Sequence, residues 1–210
     1  MERQLIKRIL SITVILVLLL TSFTSCNRAF DEEEVISAAK ELLQSAEKLN
    51  YIYYGEGIKY YDSDAAVSIY KEAQKSHLDE LGFHTIDELK AMTEETFSDS
   101  YAQIMYSSVL DTLRVDDTIV GYKRYYDYTN DDGESMIMVN VAYTPLLKST
   151  IVYDYDSIKV KESKKEKVYL TVNAVVSNAD GDSRVIDNIT ITLVEEEDGW
   201  KIDNPVWANY

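Results

Sequence analysis

"KVYLTVNAVVSNADGDSRVIDNITITLVEEEDGWKI", residues 167–202, decides the fold. Val168, Leu170, Val172, Ala174 and Val176 occupy every second position, and Ile189, Ile191 and Leu193 do so again. A period of two is that of a strand with one face turned to a core. Asn178-Ala179-Asp180-Gly181 lies between the two rows, and Glu197-Asp198-Gly199 follows the second. Both are turn signals, so the stretch predicts strands over 166–177 and 184–195, the longest hairpin, and a short strand over 199–203. Working backwards, the same β-branched and tyrosine-rich texture predicts strands near 119–128, 134–143 and 151–161. Asn130-Asp131-Asp132-Gly133 and Glu162-Ser163-Lys164-Lys165 serve as turns between them. The apolar parity flips between Tyr155 and Ile158, which predicts a bulge or bend.

Ahead of residue 113 the period changes. Val35, Ala39, Leu42, Ala46, Leu49 and Tyr53 are spaced by alternating fours and threes, one face of a helix over 32–50 with Glu32-Glu33-Glu34 in its first turn. An irregular aromatic segment then runs to Tyr61. Val67, Tyr70, His77, Leu78 and Leu81 predict a second helix over 64–81, stopped by Gly82. Thr85-Ile86-Asp87-Glu88 has the form of a capping box opening a third helix to about Glu95. Ser98 caps a fourth, with Tyr101, Met105 and Val109 on one side. Helices first and a meander afterwards define an α+β protein: N-terminal helices packed on a curved antiparallel sheet of about six strands.

The first 26 residues set the compartment. Arg3, Lys7 and Arg8 precede an apolar run from Ile9 to Leu20, and hydroxyl residues lead to Cys26, the single cysteine of the chain. A basic region, a short apolar run and small residues are the order of a secretory signal. The run is shorter than the roughly 20 residues of a membrane-spanning helix. Phe23-Thr24-Ser25-Cys26 resembles the lipobox of bacterial lipoproteins, with Phe23 where leucine is usual. The resemblance implies cleavage after residue 25, acylation of the Cys26 thiol, a lipidated tether over 26–31 and a single domain over 32–210. It places the protein on the extracytoplasmic face of the cell membrane, held by its acyl chains at about 0.8 kcal/mol per buried CH₂.

Charge narrows the partners. The 21 basic and 37 acidic residues give a net charge of −16. Removing Arg3, Lys7, Arg8 and Glu2 with the leader leaves 18 basic and 36 acidic residues, or −18. No nucleic acid is expected as a partner, since that requires a basic face. A basic protein surface suits this charge better. All 17 tyrosines follow the leader. A large apolar ring with one polar tip suits half-buried faces.

The ending "VVSNADGDSRVIDNITITLVEEEDGWKIDNPVW" resembles the terminal hairpin of nuclear transport factor 2-like, or cystatin-like, domains. In that fold a cone-like sheet encloses a cavity closed by a tryptophan, and Trp200 holds the place here, buried near the end of the sheet. Tyr53 and Tyr60 are further cavity candidates. "SAEKLNYIYYGEGI" and "GFHTIDELKAMTEETFSDSYAQIM" are similar to the DL-endopeptidase inhibitor family of Gram-positive cell walls. That likeness implies that the working surface is acidic and enters the basic cleft of a wall hydrolase. The exposed candidates are Asp131, Asp132 and Glu134 in one turn, with Asp180 and Asp182 in another. The alternative is a small-ligand or sensor domain using a sheet cavity, or an isomerase- or hydratase-like enzyme.

No residue set requires a reaction. His77 and His84 are seven apart and lack a third nitrogen or sulfur ligand, so no metal is expected. No strained serine elbow or phosphate-cradling glycine loop occurs. Asp154 and Asp156 alternate with Tyr153 and Tyr155, and that alternation sends both aspartates to the solvent face. The acidic turn 130–134 lacks the spaced ligands of a calcium loop. No cofactor is expected, and the sequence is read as a binding protein and not as an enzyme.

Overall fold

The computed structural model describes residues 30–62, 69–115, 118–146, 149–178 and 181–206. Cys26, Asp180 and the expected helix start at 64–68 lie outside them. Helix α1, Glu32–Tyr54, opens on Asp31, whose carboxylate accepts from the Glu33 and Glu34 N–H groups. It runs four residues past its expected end. Its buried face follows Val35, Ala39, Leu43, Ala46 and Leu49, so Leu43 takes the core place expected for Leu42.

The helix expected over 64–81 is corrected. Tyr70–Glu72 is a strand, β1, and only Lys75–Leu81 is helical, as α2. The polar position at Gln74 is its cap, with extended backbone. Gly82 stops α2 in the left-handed conformation, as its sequence signal requires. Helix α3, Ile86–Thr96, carries the full capping box between Thr85 and Glu88, and α4, Asp99–Val109, is capped by Ser98. Asp127 adds a second anion at the start of α3, accepting from the Ile86 N–H at 3.1 Å.

The strands that follow are β2 (Leu113–Val115), β3 (Thr118–Gly121), β4 (Tyr125–Thr129), β5 (Ser135–Asn140), β6 (Ser149–Lys164), β7 (Lys167–Asn178), β8 (Ser183–Glu196) and β9 (Gly199–Ile202). They do not make one six-stranded sheet. Four form the antiparallel meander β6-β7-β8-β9, three form β1-β5-β4, and β2 pairs β3. The strand expected over 119–128 breaks at 122–124 into β3 and β4. Because β6 has 16 residues, the β6–β7 hairpin exceeds the β7–β8 hairpin.

The inward row of β7 is dry: Val168, Leu170, Val172, Ala174 and Val176 are at most 3% exposed. Ile189, Ile191 and Leu193 continue it on β8. The parity flip in β6 is a bulge between Asp154 and Lys159, where Ser157 replaces the broken ladder. Its hydroxyl donates to the Asp154 carbonyl and accepts from the Asn173 N–H. A second bulge lies directly across β7, where Asn188 has φ +59° and donates to the Asn173 Oδ1. Asn173 is thus held from both sides, and the pairings of β7 with β6 and with β8 are both irregular at one level. Helix α1 meets this sheet along β6 and β9. Tyr155 donates to Glu47 on it at 2.8 Å.

Arg124 joins the remaining elements. It is 3% exposed, and its guanidinium donates to the carbonyls of Tyr53, Gly55 and Glu56 at 2.7–2.9 Å. The next residue, Tyr125, donates to the Ile52 carbonyl and accepts from the Ile58 N–H. Gly57 crosses this latch at φ +75°, and a Cβ there would collide with the Tyr125 hydroxyl and the Arg124 guanidinium. Gly133 has a similar φ, +82°, with open space around it. Gly133→Ala is therefore expected to cost about 1 kcal/mol, the left-handed penalty alone. Gly57→Ala should cost about 3 kcal/mol or more. Urea denaturation of both variants measures the difference, and equal costs would refute the latch.

Candidate functional site

Three surface grooves lined by described residues stand out, and the inward rows of β7 and β8 line none of the three. The first is a slot of about 370 Å³ between α1, α3 and the start of β9. Leu42, Met92 and Trp200 line it, each half-buried, with Leu49 behind them. Glu41 and Glu95 stand exposed at its lips, and Lys48 is half-buried beside them. Leu42 is here for the reason it is absent from the core: α1 turns Leu43 inward and leaves Leu42 on the flank facing α3.

The second groove lies between the C-terminal end of α3, the start of α4 and the β8–β9 turn. Glu94 and Asp99 line it from the helices, and Glu195, Glu196, Glu197 and Asp198 from the strand end, with Glu166 completing it. Lys201 lies beneath, 4% exposed, its ammonium donating to the Glu95 carbonyl at 3.2 Å and to Asp198 at 2.8 Å. That hydrogen bond holds the Asp198 carboxyl below its ordinary value. Glu196 accepts from the Asp99 N–H at the start of α4. The third groove carries both signs: Lys90 and Lys123 with Asp87, Asp111 and Asp127, beside Tyr106.

The expected site residues are dispersed. Tyr53 is fully buried, its hydroxyl bonded to Thr93 at 3.0 Å, and lines none of these three grooves. Burial pushes its phenol well above the usual range. Tyr60 is 37% exposed, at a bridge with Ala73. Of the three cavity candidates Trp200 alone lines one of these grooves, and it is half-buried where it was expected to be buried near the sheet's end. Asp131, Asp132 and Glu134 project into solvent from the β4–β5 turn, and Asp182 from the β7–β8 turn. The two turns are built alike: Asn130 and Asn178 each accept through Oδ1 from the N–H four residues on, and a glycine at positive φ closes each. The acids facing the second groove escaped the sequence reading, because only the tertiary fold brings Glu94 and Asp99 to the run 195–198.

The histidines behave as structural groups. His77 is buried, and its Nδ1 accepts from the Lys59 N–H at 2.9 Å. Burial and then the Lys59 charge lower its pKa. His84 lies 3.5 Å from Asp79 on the surface. Among the described residues no group of three or more His, Cys, Asp or Glu could hold a metal ion. No described helix is long and apolar enough to cross a membrane. Asp154 and Asp156 both face solvent, as their alternation requires.

Comparison of the sequence with protein-family models gave no match, and comparison with curated proteins gave none.

Asp203 ties the chain after β9 to α4 and is one of the carboxyls that favour the fold above acid pH. It accepts from Ser98 at 2.6 Å, from Ser100 at 3.1 Å and from Lys167. Burial would raise its pKa, but these hydrogen bonds outweigh it and hold the carboxyl below 3.8. A depressed carboxyl stabilises the fold above its unfolded value, and that stability is lost as pH falls through the folded value. Glu47 has the opposite sign, because burial raises it above 4.5. Its ionised form costs stability at neutral pH, and the cost is relieved on acidification. Asp203→Asn is expected to flatten the loss of stability below about pH 4, whereas Glu47→Gln should act only above that. Chemical denaturation across that range distinguishes them, and an unchanged acid limb in Asp203→Asn would refute the assignment.

Proposed function

We propose that this protein is a lipid-anchored, extracytoplasmic binding protein that restrains a basic partner, a cell-wall DL-endopeptidase, without catalysis of its own. Cys26 carries the anchor in this reading. The four-stranded sheet stands for the curved, cone-like sheet of the nuclear transport factor 2-like architecture. The observation that carries the reading is the filled inner face of that sheet. Val168 to Val176 leave no polar, open cavity of the kind that holds a small ligand. Acidic groups instead crowd the outside, in the two turns and the second groove. Opposite potentials speed the encounter with a basic cleft, and the anchor raises local concentration at the membrane-proximal wall.

A second reading rests on the mixed-charge groove of Lys90, Lys123 and Asp127, which suits a small zwitterionic ligand. A thermal-shift screen with wall fragments and small metabolites tests it, and stabilisation abolished by Lys123→Met would favour it.

The purified protein is expected to slow a wall DL-endopeptidase from its own organism, and added salt to weaken the effect. Neutralising Asp131, Asp132 and Glu134 together should leave the fold intact and raise the inhibition constant at least tenfold, about 1.4 kcal/mol. Absence of inhibition with every such endopeptidase would end the inhibitor reading. Metabolic labelling with a clickable fatty acid checks the anchor: the label should disappear in Cys26→Ala, and its survival would exclude lipidation there.

A further inference from the structure

We propose that the groove between α3, α4 and β4 binds a small diamino carboxylate, a molecule with one carboxylate and two ammonium groups on a short apolar body. Lys90 and Lys123 line this groove of about 480 Å³, and neither forms an ion pair with a described residue. Yet the chain has 37 acidic residues against 21 basic ones. Asp87 and Glu94 stand one helical turn from Lys90 on either side, the spacing at which opposite charges pair along a helix. The Lys90 ammonium instead lies over the Tyr106 ring, 5.6 Å from its centre, and the Lys123 ammonium lies over the Tyr126 ring at 5.0 Å. A ring face holds a cation in place without cancelling its charge.

Two of the acids in the groove are likewise engaged by uncharged donors. Glu94 accepts from the Tyr106 hydroxyl at 3.0 Å, and both Asp127 oxygens accept from the Ile86 N–H, at 3.1 and 3.2 Å. Asp87 sits in the first turn of α3, where the helix dipole favours it, and Asp111 is exposed just after α4. Two positive and four negative groups therefore line one volume without neutralising the lysines, beside the buried rings of Tyr106 and Tyr125. A carboxylate suits the lysines, and the surplus of negative charge suits more than one ammonium. A simple anion would meet four acids with no cation of its own, and a simple diamine would meet two lysines. The volume is that of a small-molecule site. The inference rests on the second reading, of this groove as a site for a small zwitterion, and it names the ligand's charges and the groups that read them. None of the turn acids at 131–134 lines the groove, so the site is tested separately from inhibition.

The full chain in nonionic detergent is titrated calorimetrically with three probes: free L-lysine; norleucine, which lacks the side-chain ammonium; and cadaverine, which lacks the carboxylate. L-Lysine is expected to bind saturably at one site, at least about tenfold more tightly than either analogue. Lys123→Met, a change at an exposed position that circular dichroism can show to be folded, should weaken L-lysine at least about tenfold and should not weaken cadaverine. Asp111→Asn should weaken L-lysine by more than it weakens norleucine. Binding of norleucine as tight as that of L-lysine would overturn the second ammonium while leaving the zwitterion reading in place. Binding of cadaverine as tight as that of L-lysine, or no loss in Lys123→Met, would overturn the carboxylate site. Failure of both L-lysine and norleucine to bind would overturn the proposal and the zwitterion reading together.

Discussion

The buried guanidinium of Arg124 is the constraint on which the rest of the molecule depends. A helix ends with unpaired carbonyls and a partial negative charge, and the last turn of α1 contains no basic residue to meet them. Arg124 supplies that cation from across the fold. Its planar fork reaches three carbonyls that a lysine's point charge could not serve in the same geometry. The Tyr125 and Tyr143 rings lie 5.1 and 4.3 Å from the guanidinium carbon and supply further electrostatic compensation. Its backbone does as much as its side chain: the N–H donates to Val109 at the end of α4, and the carbonyl accepts from Asn140 of β5. One residue therefore fixes α1, α4 and the three-stranded sheet against one another.

The same logic recurs at α3. Its N-terminus receives Asp127 from β4, and the carbonyls near its C-terminus receive the ammonium of Lys201 from β9. An anion at the positive end and a cation at the negative end suit the helix dipole, and both come from strands rather than from the helix itself. The start of α4 is tied to the chain after β9 through Ser98 and Asp203. Charged groups here act as joints between helices and strands. Lys201 is buried, so its loss leaves the Glu95 carbonyl without that partner.

What could be read from the sequence was local. Thr85 with Glu88 and Ser98 are caps that form within four residues, and the alternation of β7 and β8 depends on nothing beyond the pleat. The bulge in β6 was visible as a parity flip because one face must stay dry. Long-range choices were not visible. Tyr70–Glu72 has residues compatible with helix, but β5 offers its edge and takes them as a strand. Leu42 and Leu43 are equivalent by composition, and only the placement of α3 decides which is buried. Arg124 carries no mark in the sequence, since its partners are carbonyls some 70 positions earlier. For the site, Glu195 read as the end of a strand and Glu197-Asp198-Gly199 as a turn, while Glu94 and Asp99 reach them through the packing of α3 and α4. The lipobox-like segment is also a local pattern, and its residues lie outside the described chain.

The acidic groove raises the question of what keeps so much like charge together. Part of the answer is internal. Glu196 accepts a hydrogen bond from the first turn of α4, where the helix dipole favours negative charge, and Lys201 draws Asp198 inward. Asp203, engaged by Lys167 and two serines, spends its charge on the fold. The acids at this end are thus tolerated without any ligand, and their number alone identifies no site.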